Sequence, residues 1–193
     1  MITNPDKMFE TIVEAATPKS GQIGKALKIE KRILNWVSLV DILDECPRLL
    51  SIMCHGKHDC KSGLSEFAFE NNEKPYLSDN FDEDRLLECL QNRKRSYKID
   101  VIVLSTCHSE RLGKILLKSI HPTPAIIAIN SQEQVLQWST IHFNHKFIKS
   151  LIDGFPIKTA FDMSIQLLNT GPAEDTKICC CMHSHDKDCL FDK

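Results

Sequence analysis

Residues 99–107 read IDVIVLSTC, a nearly continuous run of apolar, largely β-branched residues that ends in a cysteine. A run without polar alternation is the pattern of a central strand covered on both faces. SERLGKILLKSI, residues 109–120, follows with Leu112, Ile115 and Leu116 at helical spacing, and AIIAIN, residues 125–130, is a second run of the strand type. Upstream, RLLSIMC predicts a buried strand over 49–54, after Pro47 has ended a helical pattern built on Ile29, Ile33, Trp36, Val37, Val40 and Leu43. Strands alternating with helices imply right-handed crossovers and a mostly parallel sheet with helices on both faces, an α/β three-layer α/β/α sandwich.

Around this centre the reading is local. MFETIVEAATP predicts a first strand over Phe9 to Ala15, closed by Pro18 and the turn at Gly21 to Gly24. Asn71 and Asn72 punctuate an alternating stretch as in a hairpin near 64–78. DNFDEDRLLECLQN has acidic residues in its opening turn and leucines at 86, 87 and 90, which predicts a short helix. Trp138, Ile141, Ile148, Leu151 and Ile152 line one face of a long helix that Gly154 stops; Pro156 opens a last one, with Ile157, Ala160, Phe161, Ser164 and Leu168 inward. The domain is expected over 1–170, with its amino-terminal strand set incomplete, and 171–193 reads as a Cys/His-rich tail.

Composition narrows the function classes. An apolar content of 42% over 193 residues is enough for one normal core. A net charge of −2 leaves no electrostatic footprint for nucleic acid. No apolar run approaches the roughly 20 residues that span a bilayer, and MITNPDKMFE lacks a secretory h-region, so no membrane partner is expected and the chain reads as soluble and cytoplasmic. Without an export signal, the nine cysteines are expected as reduced thiols.

In open parallel sheets the working residues collect at the carboxyl ends of the strands. SIMCHG ends in His55 and Gly56, and VIVLSTC ends in Cys107. On neighbouring strands about 4.8 Å apart, these side chains project into one cleft. Cysteine is the nucleophile of choice because part of it is thiolate near neutrality, and an imidazole or a helix amino terminus raises that part. The helix starting near Ser109 supplies the second helper, and the backbone N–H groups of Gly56 and Cys107 are the oxyanion donors.

These residues resemble the CHAT domains, a caspase-like family related to caspases and separases. The resemblance lies in LLSIMCHG (49–56) and VIVLSTCHSERLG (101–113) and continues through 125–165, covering roughly 29–168. It implies a cysteine endopeptidase in which His55 is the general base and Cys107 forms the acyl-enzyme, acting on a protein or peptide substrate without a cofactor for catalysis. The histidine precedes the cysteine by about 50 residues, as in caspases. STCHS replaces the caspase Q-A-C-x-G, so aspartate specificity is not implied. CHAT domains commonly accompany regulatory repeat domains, which makes such a region an expected partner.

Blander readings stand beside these. Cys46, Cys54, Cys60 and Cys89 read as small core residues, His108 as a solvent- or substrate-facing neighbour, and His58 as a substitute base. Asp59, Glu110 and Glu133 lie near strand ends where an acidic specificity pocket would form, and NRKR (92–95) is an exposed connection. The position six after Cys107 is Gly113 rather than the arginine of cysteine phosphatases, and phosphate-loop motifs are absent from the sequence. In the tail, Cys179, Cys180, Cys181, His183, His185 and Cys189 are dense enough for a structural zinc site, although the C-x₂-C pairing of zinc ribbons is missing. The alternative to the peptidase is an inactive CHAT-like regulatory or scaffolding module with a metal-stabilised tail; a third reading is a thiol redox sensor on Cys107 or the tail.

Overall fold

The structure, a computed structural model, describes residues 5–16, 28–58, 65–71, 74, 77–91, 99–120, 124–129, 137–169 and 178–181. In chain order the elements are α1 (Pro5–Ala16), α2 (Trp36–Asp44), β1 (Leu49–Met53), β2 (His55–His58), β3 (Ser65–Glu70), β4 (Ser78–Asp82), α3 (Glu83–Gln91), β5 (Val101–Ser105), α4 (Glu110–Ser119), β6 (Ala125–Ile129), α5 (Gln137–Ile152), α6 (Ile157–Asn169) and β7 (Ile178–Cys181). The chain divides into two compact units, one holding α1, α5 and α6 and the other the remaining elements. Among the described residues, no helix is long and apolar enough to cross a membrane.

The mixed α/β unit is built on a sheet of order β1-β5-β6-β7. β1, β5 and β6 are parallel, with Leu49 opposite Val101 and Val101 opposite Ala125, and β7 closes the sheet antiparallel to β6. Every residue of β5 is buried, as its unbroken apolar sequence demands. One core gathers Leu50 and Ile52 of β1, Ile102 and Leu104 of β5 and Ile126 and Ala128 of β6 with Leu39 and Leu43 of α2, Leu86 and Leu90 of α3 and Leu112 and Leu116 of α4. Gly113 lets α4 approach β6 closely: an added Cβ would lie 3.2 Å from the Ala128 Cβ and 3.3 Å from the Ile126 Cγ2. β2, β3 and β4 form a separate antiparallel sheet, Gly56 opposite Phe67 and Phe67 opposite Phe81. Its aromatic face meets α2 and α3, with Trp36 stacked on Phe81 at 5.4 Å and the Arg85 guanidinium 4.6 Å and 4.5 Å from their ring centres.

Three element expectations change, the first being that residues 79–82, expected to open a short helix, lie in strand β4, so that α3 begins at Glu83. Residues 9–15 belong to helix α1 rather than to a strand: Phe9, Ile12 and Val13 fall at helical spacing, Ile12 is buried while Glu10 and Glu14 are exposed, and Pro5 sits at the first helical position. A short apolar run does not distinguish the two periods. The second helix begins at Trp36, so Ile29 and Ile33 lie outside it, because Asn35 and Ser38 close a reciprocal capping box, with Ser38 N–H donating to Asn35 Oδ1 at 2.8 Å and Asn35 N–H to Ser38 Oγ at 3.1 Å. The expected hairpin appears as β3 and β4; Asn71 accepts from Lys74 N–H at 2.8 Å and donates to Asp79 at 2.8 Å.

In the helical unit α5 packs against α1 and α6. The α5 core positions are Ile141, Phe143 and Phe147 with polar Ser139, Asn144 and Ser150, whereas Ile148, Leu151 and Ile152 of the expected stripe are only half-buried. Phe143 stacks on Phe147 and meets Phe161 of α6 edge-on at 5.6 Å, which draws the buried face round to the aromatic side. The Trp138 side chain lies outside the described residues. Gly154 at φ +89° ends α5 in a Schellman turn, with Phe155 N–H donating to Ser150 O and Gly154 N–H to Leu151 O, each at 3.0 Å.

His142 and His145 of α5 make this unit acid-sensitive. Burial lowers the basicity of both imidazoles, and for His145 the positive neighbours His142, Lys149 and Lys146 lower it further. The unfolded chain therefore takes up protons near the ordinary value of about 6.5 while the folded chain resists them, so stability is whole above that value and falls as pH drops through it. Thermal unfolding is expected to come at lower temperature at pH 5.5 than at pH 7.5, with the difference reduced in a His142→Gln, His145→Gln double variant; a variant as pH-sensitive as the native chain would contradict this.

Candidate active site

β1 and β5 run side by side, with Met53 opposite Ser105, so both strands deliver their following residues to the same carboxyl edge. Past Met53 the chain leaves the parallel sheet at Cys54. His55 is thus not the end of the parallel strand, as expected from the sequence, but the first residue of β2, paired with Ala68, and it is exposed. The apolar run and the strand after it are contiguous in sequence, and the change of sheet has no turn residue to announce it.

Past Ser105 the chain turns through Thr106, Cys107 and His108. Thr106 is buried, Cys107 and His108 are half-buried, and His108 adopts φ +62°, a left-handed conformation rare for a residue with a Cβ. The two segments meet at Gly56. An added Cβ there would lie 2.1 Å from the Cys107 carbonyl oxygen and 2.5 Å from Thr106 Oγ1, so the Gly56 backbone lies against the Cys107 carbonyl and the Thr106 hydroxyl, and a side chain at position 56 has no room. Among the described residues, no hydrogen bond joins the His55 ring to the Cys107 thiol.

Ser109 holds this turn, and the sequence reading passed over it. Its hydroxyl donates to Leu104 O at 3.0 Å and accepts from Ile129 N–H at 3.0 Å, tying the ends of β5 and β6 together from a fully buried position at the start of α4. Serine before a helical run is an ordinary cap signal, but here the side chain makes no capping bond and serves the sheet instead. Ser109→Ala leaves the Ile129 N–H without its acceptor; the expected cost is about 2 kcal/mol, read as a lower urea midpoint, and an unchanged midpoint would show the bond to be dispensable.

Cys46, Cys54, Cys89 and Cys107 are free thiols. Burial pushes the Cys54 thiol up to about 11; the nearby Thr106 hydroxyl, buried without a well-formed hydrogen bond, offsets part of that rise, and Cys107 adds to it. Burial, with Glu88 beside it, also raises Cys89 to about 11. Both are partly buried against the core rather than inside it, and Cys46, expected in the core, is exposed.

The other expected site residues scatter. Glu110, in the first turn of α4, pairs with Lys114 at 2.7 Å, and Arg111 pairs with the buried Glu83 of α3 at 3.1 Å. A shallow cavity of about 320 Å³ runs along Glu110, Arg111, Lys114, Ile115 and Lys118, and neither His55 nor Cys107 lines it. His58 lies in β2, but its side chain, together with Cys60, Asp59, Glu133 and NRKR at 92–95, is outside the described residues. Of the tail cluster, Cys179, Cys180 and Cys181 form β7, opposite Ala128, Ile127 and Ile126, so part of the expected tail is a strand of the main sheet. His183, His185 and Cys189 lie outside the described residues. Among the described residues, no three His, Cys, Asp or Glu side chains are grouped to hold a metal ion.

Compared with known proteins, the sequence matches no family model and no curated protein.

Proposed function

We propose that the chain is a cysteine endopeptidase of the caspase-like CHAT type, a cytoplasmic three-layer sandwich acting on protein or peptide substrates. The observation that supports this reading is the close approach of the Gly56 backbone, one residue past His55, to the Cys107 carbonyl beyond the paired ends of β1 and β5. In the reaction the Cys107 sulfur attacks the scissile carbonyl carbon and its proton passes to His55. Backbone N–H groups of Gly56 and Cys107 hold the oxyanion. His55 returns the proton to the leaving amine, a thioester remains on Cys107, and water deprotonated by His55 releases the acid and restores the thiol. The absence of a His55–Cys107 hydrogen bond is compatible with this, since such bonds often form only when substrate binds.

The missing His55–Cys107 hydrogen bond equally supports a second reading, a scaffolding module that keeps the fold without turnover, its Cys179–Cys189 region fastened by zinc. Digestion of a peptide library by the full chain separates the two. New amino termini that disappear in the Cys107→Ala variant establish the peptidase; a library left intact by the native chain leaves the scaffold.

A further inference from the structure

The parallel sheet is open along β1. Val101 N–H donates to Arg48 O at 3.1 Å, and the register that follows, Leu49 opposite Val101 and Leu50 opposite Ile102, turns the N–H and C=O of Leu50 and Ile52 toward β5. Backbone groups alternate sides along a strand, so those of Leu49, Ser51 and Met53 point away from β5. Among the described residues, no strand pairs with β1 on that side, and Leu49, Ser51 and Met53 make no hydrogen bond there. Ser51 is exposed between half-buried Leu49 and Met53. Edge strands are commonly protected by charge, proline or a bulge, and β1, which reads LLSIM in unbroken register, has none of these. The nearest charge is Arg48, just before the strand, an exposed side chain paired with Asp100.

We infer that β1 is a dimerisation edge, pairing antiparallel with β1 of a second copy of this chain about a two-fold axis at Ser51. In that register Leu49 lies opposite Met53 of the second copy, and Ser51 lies opposite its own counterpart. Both are pairs in which the two residues exchange N–H···O bonds, because their backbone groups are the outward ones. The side chains follow the same symmetry: Leu49 meets Met53, and the two Ser51 hydroxyls meet each other, on one face of the joined sheet. A second copy is the occupant because the outward sequence, apolar then polar then apolar, is its own complement, as an isologous contact requires. Antiparallel pairing also sends the two Arg48 side chains to opposite ends, whereas a parallel copy in register would set like charges side by side. An edge of five residues is shorter than a permanent interface needs, so the dimer dissociates on dilution.

Sedimentation of the full chain over a series of concentrations tests this. The expected mass rises from 22.0 kDa toward twice that value as concentration increases. Ser51→Pro removes an outward N–H that the ladder with β5 does not use, so the variant keeps its fold and is expected to stay at the mass of one chain. Should the ring disturb β1, Ser51→Lys serves instead: it sets two ammonium groups face to face at the axis and leaves every backbone bond in place. Ser51→Cys reads the register, since Cα atoms of a hydrogen-bonded antiparallel pair lie about 5.5 Å apart, within reach of a disulfide. Mild oxidation of that variant is expected to give a peptide pair joined at position 51 of both copies. A native chain of single mass at every concentration overturns the inference and leaves the edge to a strand of a different protein. A dimer that survives both Ser51→Pro and Ser51→Lys, growth beyond two copies, or a Ser51→Cys dimer that never forms the link overturns it as well. None of these measurements depends on turnover, so the dimer stands or falls apart from the peptidase.

Discussion

Gly56→Ala is expected to cost about 3 kcal/mol of stability and, on the proposed peptidase reading, to lower peptide hydrolysis at least about 100-fold. The added Cβ falls 2.1 Å from a backbone carbonyl and 2.5 Å from a buried hydroxyl, and the first of these is main chain that no rotamer change can clear. Either β2 or the Cys107 turn must move, and a shift near 1 Å at a nucleophile is enough for a loss of that size. Gly113→Ala is the control. Its Cβ would meet only side-chain carbons at 3.2 Å and 3.3 Å, so small adjustments absorb it and the gain in helix propensity offsets the crowding, leaving a net change of about 1 kcal/mol or less. Urea unfolding of both variants compares them directly. A Gly56→Ala protein as stable as Gly113→Ala would mean that the two segments are not held together as described.

The parts of the fold legible in the sequence were those in which composition and period agree. IDVIVLSTC, RLLSIMC and AIIAIN are apolar without alternation, and they are the three parallel strands. α4, α3 and α6 could be read because their apolar residues recur at helical spacing between recognisable stops. Phe9–Ala15 was illegible because a short apolar run fits both periods until something buries one side, as happens at Ile12. The start of α2 turned on Asn35, whose side chain captures the Ser38 N–H, a local bond that outweighs the apolar repeat continuing upstream to Ile29.

At the candidate site, strand-end logic put Cys107 just past the end of β5, where the chain has it, but it put His55 and Gly56 at the end of a parallel strand when both belong to β2. Nothing in SIMCHGKH marks a boundary, because the change from parallel to antiparallel pairing is made by β3, a partner that lies outside this stretch. Ser109 escaped for a related reason: its acceptor and donor come from β5 and β6, and only the folded sheet brings Leu104 and Ile129 to one hydroxyl. The cysteines at 179–181 were read by chemistry alone as metal ligands, while three consecutive residues with strand-compatible side chains also satisfy the open edge of β6.

His55→Ala should leave stability within about 0.5 kcal/mol of the native chain, because the imidazole is exposed and engages no hydrogen bond with the thiol. Any loss of hydrolysis in that variant is therefore chemical rather than structural. In the proposed mechanism His55 is the general base, and such a base contributes about 10²–10⁴-fold, so on that reading kcat falls by that factor. On the same proposed mechanism Cys107→Ala removes the acyl-enzyme route altogether and should fall at least as far. Because the two act in one step, the double variant should be no slower than Cys107→Ala alone, whereas independent contributions would multiply. The comparison also tests the neighbours: if His55→Ala hydrolyses peptides at the native rate while Cys107→Ala does not, the thiol is the nucleophile and its base is another histidine, with His58→Ala and His108→Ala the variants that identify which. A Cys107→Ala protein that still cleaves at the native rate rejects the thiol mechanism outright, whatever His55 does.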